Sequence, residues 1–297
     1  MDDRCFYGLR EVDHRGETAP APAGFSRRDF LVTSLASGFA LAAQPVQASA
    51  ITTSSEGLTA GFVEVPVADG RLPAYRAHPA QGGRFPTILV IQEIFGVHAY
   101  IQDICRRLAR LGYYAIAPEL FARQGDVSKM SDINQILSEV VSRVPDAQVY
   151  ADLDAAAAFA EASGKADGAR LGVIGFCYGG RMTWLYAHHN PKIKAGVGYY
   201  GLLAGLKSPV KPQDPVDIAA QITVPVLGLM AGQDSYVPNA VVDQMRRNLR
   251  QGSSRSEIAV IPAVDHGFHA DYRPTYDRVA AEYAWNLTQD WFKDHGL

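Results

Sequence analysis

The stretch Leu171-Gly172-Val173-Ile174-Gly175-Phe176-Cys177-Tyr178-Gly179-Gly180 constrains the chain more than any other. An apolar, β-branched run meets a glycine, a nucleophilic side chain follows two residues later, and two further glycines open what reads as a helix from Tyr178 to His189. The glycines have a mechanical use. A strand that turns directly into a helix brings backbones into close approach, and the residue at the apex is strained with its side chain pushed outward. Cys177 occupies that apex. The positive end of the helix that follows points at its sulfur and favours the thiolate, the form that attacks a carbonyl carbon.

The remainder of the chain supplies the sheet such a turn requires. Residues 61–67 and 72–77 read as two antiparallel edge strands around an Asp69-Gly70 turn. Residues 86–92, 113–117, 171–176, 195–200, 224–230 and 258–262 read as further strands, the first of them a continuous apolar run of the kind buried on both faces. Between them, Ile101, Ile104, Cys105, Leu108 and Leu111 recur at helical spacing with Gly112 as the stop. Helices are also predicted around Ile133, Ile136, Leu137 and Val140, over 146–163, 178–189 and 239–249, and through Tyr276, Val279, Ala280, Tyr283, Leu287 and Trp291. This alternation predicts an α/β fold with a mostly parallel sheet covered on both faces. Ligands of such sheets bind at the carboxyl ends of the strands, so chemistry is expected just after each one.

Composition narrows the function. A 47% hydrophobic share provides one sizeable core and excludes disorder, coiled coil and collagen. A net charge of −3 without Lys/Arg clusters excludes a nucleic-acid surface. Cys5, Cys105 and Cys177 are odd in number and form no C-x-x-C pair, so a cysteine acts here as a single thiol. No phosphate loop follows the first buried strand, and no His, Cys or carboxylate cluster has metal spacing; no cofactor and no metal are expected.

The first fifty residues read differently from the rest. Ser26-Arg27-Arg28-Asp29-Phe30-Leu31 precedes an apolar stretch over 31–43, and Ala48-Ser49-Ala50 has the small-x-small form that a signal peptidase cuts. The apolar stretch falls short of the ~20 residues a bilayer span needs, so stable membrane insertion is not expected. The pattern resembles a twin-arginine export signal, which implies a translocase as partner during export and a periplasmic or secreted product. Residues 1–50 are therefore expected to be a leader and residues 51–297 a single domain.

A thiol nucleophile needs a base and a group to orient that base. Asp234 in Ala231-Gly232-Gln233-Asp234 and His266 in Asp265-His266-Gly267-Phe268-His269 follow two successive strands, in the order nucleophile, acid, histidine. His269 is the rival base; His266 ranks first because it lies nearer its strand. His98 is expected at an exposed helix start, and Cys105 in the core.

Gln92-Glu93-Ile94-Phe95-Gly96, Pro118-Glu119-Leu120-Phe121-Ala122-Arg123, the Cys177 turn and the Asp234 and His266 segments together resemble the blocks of the dienelactone hydrolase family, on the α/β-hydrolase fold, from about residue 61 to 292. The resemblance implies hydrolysis of a small-molecule ester or lactone, as by a carboxymethylenebutenolidase, through an acyl-cysteine intermediate. It implies Cys177 as nucleophile, His266 as base and Asp234 as its orienter. Glu93 would sit near the resting thiol and help form the thiolate when substrate arrives. The N–H groups of Ile94 and Tyr178 would form an oxyanion hole, and Arg123 would hold a substrate carboxylate. The family places a second arginine four residues after its histidine, where this chain has Ala270; Arg273 or His269 would stand in for it. The rival readings are a broader carboxylesterase on the same triad, and a periplasmic ligand-binding or redox-responsive protein that keeps the turn without turnover.

Overall fold

The structure is a computed structural model and describes residues 51–297. Its eight strands, in chain order, are β1 (Leu58–Val67), β2 (Gly70–Pro79), β3 (Phe85–Ile91), β4 (Tyr114–Pro118), β5 (Ala166–Phe176), β6 (Ala195–Tyr199), β7 (Val226–Ala231) and β8 (Glu257–Ile261). They form one sheet in the order β1-β2-β4-β3-β5-β6-β7-β8. The pairs β1/β2 and β2/β4 are antiparallel and every other pair is parallel. Only β1 of the opening hairpin is an edge, because β2 pairs inward with β4, a correction to the two edge strands expected.

The longer helices are α1 (Ala99–Arg110), α2 (Asp146–Ala162), α3 (Tyr178–His189), α4 (Asn239–Leu249) and α5 (Arg278–Asp294). They serve as crossovers or covers, which is how parallel neighbours must be joined. Strands β4, β6 and β7 are buried along their whole length, consistent with cover on both faces. Helix α3 is buried from Tyr178 to Ala187, so the turn that starts it sits in the middle of the molecule. Gly112 ends α1 with φ of 92°, a left-handed conformation that favours glycine.

One predicted helix is broken. Residues 133–143 form a short α turn, a wider π turn and a 3₁₀ turn in succession. Ser138 and Ser142 each hydrogen-bond a carbonyl four residues back at 2.7 Å, a side-chain competitor that helical periodicity does not register. Among the described residues, no helix is long and apolar enough to cross a membrane.

Candidate active site

The carboxyl ends of β3, β5, β6, β7 and β8 carry Glu93 and Ile94, Cys177, Tyr200, Asp234 and His266 in turn. Cys177 has φ 55° and ψ −110°, a strained backbone for a residue with a side chain. Surrounding glycines make the strain tolerable: a Cβ at Gly175 would overlap the Gly179 carbonyl, and one at Gly179 would overlap the Ile91 carbonyl at the end of β3. The thiol is fully buried.

Asp234 and His266 meet across the ends of β7 and β8. Nδ1 of His266 lies 2.8 Å from Asp234 Oδ2, while Asp234 Oδ1 accepts from the backbone N–H groups of Tyr236 and Val237 at 2.9 and 3.3 Å. The carboxylate is thereby fixed and sets the Nδ1–H tautomer, which turns Nε2 outward. Cys177 acts on the imidazole through its charge. Burial alone would discharge His266, but Asp234 and Cys177 outweigh it and raise its pKa to about 10. Tyr200 and Tyr236 pack edge-on against the imidazole, at 5.0 and 5.1 Å between centroids. Neither tyrosine stands out in the sequence; the adjacency of Tyr236 to Asp234 was the available signal.

The oxyanion candidates are placed by two short turns. Tyr178 is the first residue of α3, where a backbone N–H has no partner inside the helix. Ile94 lies in a tight bend after β3, closed by bridging between Glu93 and Gly96. Gly96 is required there: its φ is 77° and a Cβ would lie 2.8 Å from Glu119 Oε1. Val97 N–H anchors the bend by donating to Glu119 Oε2 at 2.8 Å. A cavity of about 450 Å³ adjoins it, lined by Phe95, Val97, His98, Glu119, Ala122 and Val127 among others.

Four placements differ from the sequence-based expectation. Glu93 is fully buried, but its partners are not the thiol: Arg273 Nη2 donates to Oε1 at 3.0 Å, Tyr272 Oη to Oε2 at 2.5 Å, and His98 Nε2 lies 3.4 Å from Oε2. Burial opposes its charge, yet Arg273 and the bonds from His98 and Tyr272 prevail and hold the carboxyl at about 2. His98 accordingly points inward rather than to solvent. Arg123 does not offer a free fork, because Asp69 and Asp152 take it from two directions at 2.6–3.0 Å. His269 is not a pocket residue: it is buried among Tyr199, Phe176 and Trp285, with Nδ1 2.6 Å from Tyr100 Oη. Arg273 is at the site, where its charge couples to both Glu93 and Cys177. Cys105 is core, as expected, and burial pushes its thiol well above the ordinary range.

Among the described residues no group of three or more His, Cys, Asp or Glu could hold a metal. A buried thiol on a strained turn, an imidazole paired with a fixed carboxylate, and backbone N–H groups at the adjoining turns are the kinds of group that acyl transfer requires.

Comparison with known proteins agrees. A family model described as "Dienelactone hydrolase family" matches residues 72–296. A "Putative carboxymethylenebutenolidase" of Methylorubrum extorquens is 58% identical over 93% of this chain and 96% of its own length. One of Escherichia coli with the same name is 48% identical over 90% of this chain and 98% of its own. The crystal structure of a "Putative Dienelactone Hydrolase" from Klebsiella pneumoniae superposes with a TM-score of 0.78 at 48% identity, covering 80% of this chain and 98% of the other.

Proposed function

The chain belongs to the dienelactone hydrolase family and is an ester or lactone hydrolase, and we propose that it works through an acyl-cysteine intermediate on Cys177. The observation that supports this reading is the His266–Asp234 pair, 2.8 Å apart at the ends of β7 and β8, whose imidazole is coupled by charge to Cys177 at the strained turn after β5. The thiolate attacks the acyl carbon, and the developing oxyanion is taken by the N–H groups of Tyr178 and Ile94. Removing one such donor typically costs ~3–4 kcal/mol of transition-state stabilisation. As the tetrahedral intermediate collapses, the C–O bond to the alkoxide breaks and the His266 imidazolium gives up its proton to that oxygen. The neutral imidazole then takes a proton from water, hydroxide adds to the thioester, and the thiolate leaves. Asp234 holds the imidazole orientation through both halves.

The acyl group is neutral in this proposal. Arg123 and Arg273 are each matched by carboxylates already, so a substrate carboxylate would have to displace Asp69 and Asp152 or Glu93. The family's paired-arginine pattern is absent here because Ala270 is buried where the second arginine would stand.

Export is also proposed, on the strength of Arg27-Arg28, the apolar stretch after them and Ala48-Ser49-Ala50. These residues lie outside the described part of the structure. Periplasmic recovery that Arg27→Lys with Arg28→Lys abolishes would support it, and unchanged recovery would remove it.

The Cys177→Ala variant tests the chemistry. Incubation with p-nitrophenyl acetate should add an acetyl mass to the wild-type chain and none to the variant, with kcat/KM lower by at least ~10³-fold. Equal turnover by the variant would overturn the acyl-cysteine route. Substrate charge is tested separately by comparing a neutral ester with one bearing an acyl-side carboxylate; a preference for the anion would overturn the neutral-pocket assignment.

A further inference from the structure

The bend that carries Ile94 runs straight into α1. His98 is the N-cap of that helix, and the first turn reaches back over the bend. Gln102 donates from its N–H to the His98 carbonyl at 3.0 Å and from Nε2 to the Val97 carbonyl at 2.8 Å. Further along, the same helix makes a second connection to the site. Arg107 Nη2 donates to Asp271 Oδ2 at 2.6 Å, while its Nε donates to Asp103 Oδ2 at 2.7 Å. Asp103 lies one turn earlier on α1 and is itself held by Arg106 Nη2 at 2.9 Å. The guanidinium is thus seated between two carboxylates whose side chains are 1% and 2% exposed.

Asp271 is followed in the chain by Tyr272 and Arg273, the two residues that donate to Glu93 at 2.5 and 3.0 Å. Glu93 is followed by Ile94. The contacts therefore close a ring. It runs from α1 to Asp271 through Arg107, from Asp271 to Glu93 through the next two residues, and from Glu93 along the bend back into α1 at His98. About 12 Å of helix axis separates Ala99 from Arg107, so the ring grips the bend from two well-separated points. A bend fixed at one end can tilt its amides, whereas an oxyanion donor has to be in place before charge develops.

We propose that Arg107 and Asp271 are positioning residues for the oxyanion donor at Ile94: they hold the segment carrying Tyr272 and Arg273, so that Glu93 pins the entry to the bend. This rests on the acyl-transfer reading above. Both residues act through their neighbours and lend nothing to attack by the sulfur itself. Their loss is felt where an oxyanion forms and not where none does.

Arg107→Met separates the two cases. Its kcat/KM for p-nitrophenyl acetate should fall about 10–100-fold, as expected of a donor displaced by up to about 1 Å. Alkylation of Cys177 by iodoacetamide should stay within about twofold of wild type, because displacement of iodide builds no oxyanion. The substitution also leaves Asp271 buried without its counter-ion and should lower Tm. Adding Asp271→Asn removes the stranded charge and should restore Tm, while kcat/KM stays as low as in the single variant because the tie is still cut. In either variant a loss confined to the ester supports the positioning, even where Tm is not restored. A loss shared by both reactions, an unchanged kcat/KM, or recovery of kcat/KM together with Tm would overturn it. With Cys177→Ala inactive, any of those results leaves the acyl-cysteine route standing; turnover by Cys177→Ala would remove that route and the positioning together.

Discussion

His266 and His269 sit three residues apart in one loop, and both are buried, yet the molecule treats them as opposites. Around His266 a carboxylate and a thiol face the ring and raise its pKa to about 10. His269 meets aromatic rings and the Tyr100 hydroxyl; burial, helped by the charge of Arg107, lowers its pKa to about 3. Desolvation is the largest single influence on each, so burial alone does not decide the outcome. A buried histidine becomes an acid–base group when an anion is fixed against it, and a hydrogen-bonded core residue when none is.

Substitution at the two positions should separate them by orders of magnitude. His266→Asn is expected to lower kcat/KM by at least ~10³-fold, because attack and leaving-group protonation both pass through its ring. His269→Phe should leave kcat/KM within about threefold and cost about 1–3 kcal/mol of stability, the Tyr100 hydroxyl being left without its acceptor. Steady-state rates with urea titration read both. Comparable activity losses at the two positions would erase the distinction. Asp234→Asn sharpens it further, since removing the anion should return the His266 pKa toward 6.5, visible in an NMR titration, and reduce activity by about 10²–10⁴-fold.

The next largest effect belongs to Glu93. Its carboxylate neutralises a buried Arg273, so Glu93→Gln leaves an unmatched cation in the site and should cost about 3–5 kcal/mol. The double variant Glu93→Gln with Arg273→Met should recover much of that loss, because no buried charge remains. Failure to recover would mean that the contacts of Glu93 with Tyr272 and His98, rather than the matching of the Arg273 charge, account for the loss. With Arg273 gone, reactivity of the Cys177 thiol toward iodoacetamide should fall as well, as the guanidinium charge couples to it.

What the sequence disclosed and what it concealed divide along a physical line. The Cys177 turn was legible because its requirements are local: a strained apex and close backbone approach dictate glycines at fixed offsets. Asp234 and His266 were legible because the sheet puts the residue after each parallel strand at one edge. The partners of Glu93 were not, since Tyr272 and Arg273 lie about 180 residues away and arrive through the folding of an irregular loop. Arg123 read as a substrate clamp for the same reason: Asp69 and Asp152, which occupy it, come from the β1–β2 turn and from α2. Distance from the strand end ranked His266 above His269, and the structure pairs His266 with Asp234, while nothing short of the packed environment could show the second ring surrounded by Phe176, Tyr199 and Trp285. Arg273 was named from the sequence as a stand-in substrate arginine rather than as the partner of Glu93; Tyr272 was missed, and its place beside Arg273 in the loop after the last strand was the signal available.

The smallest effect follows from the same two histidines. A raised folded pKa at His266 contributes stability that is complete below about 6.5 and is lost as pH climbs toward about 10. A depressed folded pKa at His269 acts in the other direction: the unfolded chain binds the proton first, so stability drains as pH falls from about 6.5 toward about 3. Glu93 adds to the acid side, its contribution being lost as pH falls from about 4.5 to about 2. Melting temperature measured across pH should therefore give a wild-type curve that bends on both sides, and the difference from each variant isolates one limb. Relative to the wild type, His269→Phe should gain as pH drops below about 6, and Asp234→Asn should close its deficit as pH rises above about 8. Parallel curves for wild type and His269→Phe through the acid range would show that this ring takes up its proton as readily folded as unfolded, and the contrast between the two histidines would then rest on geometry alone.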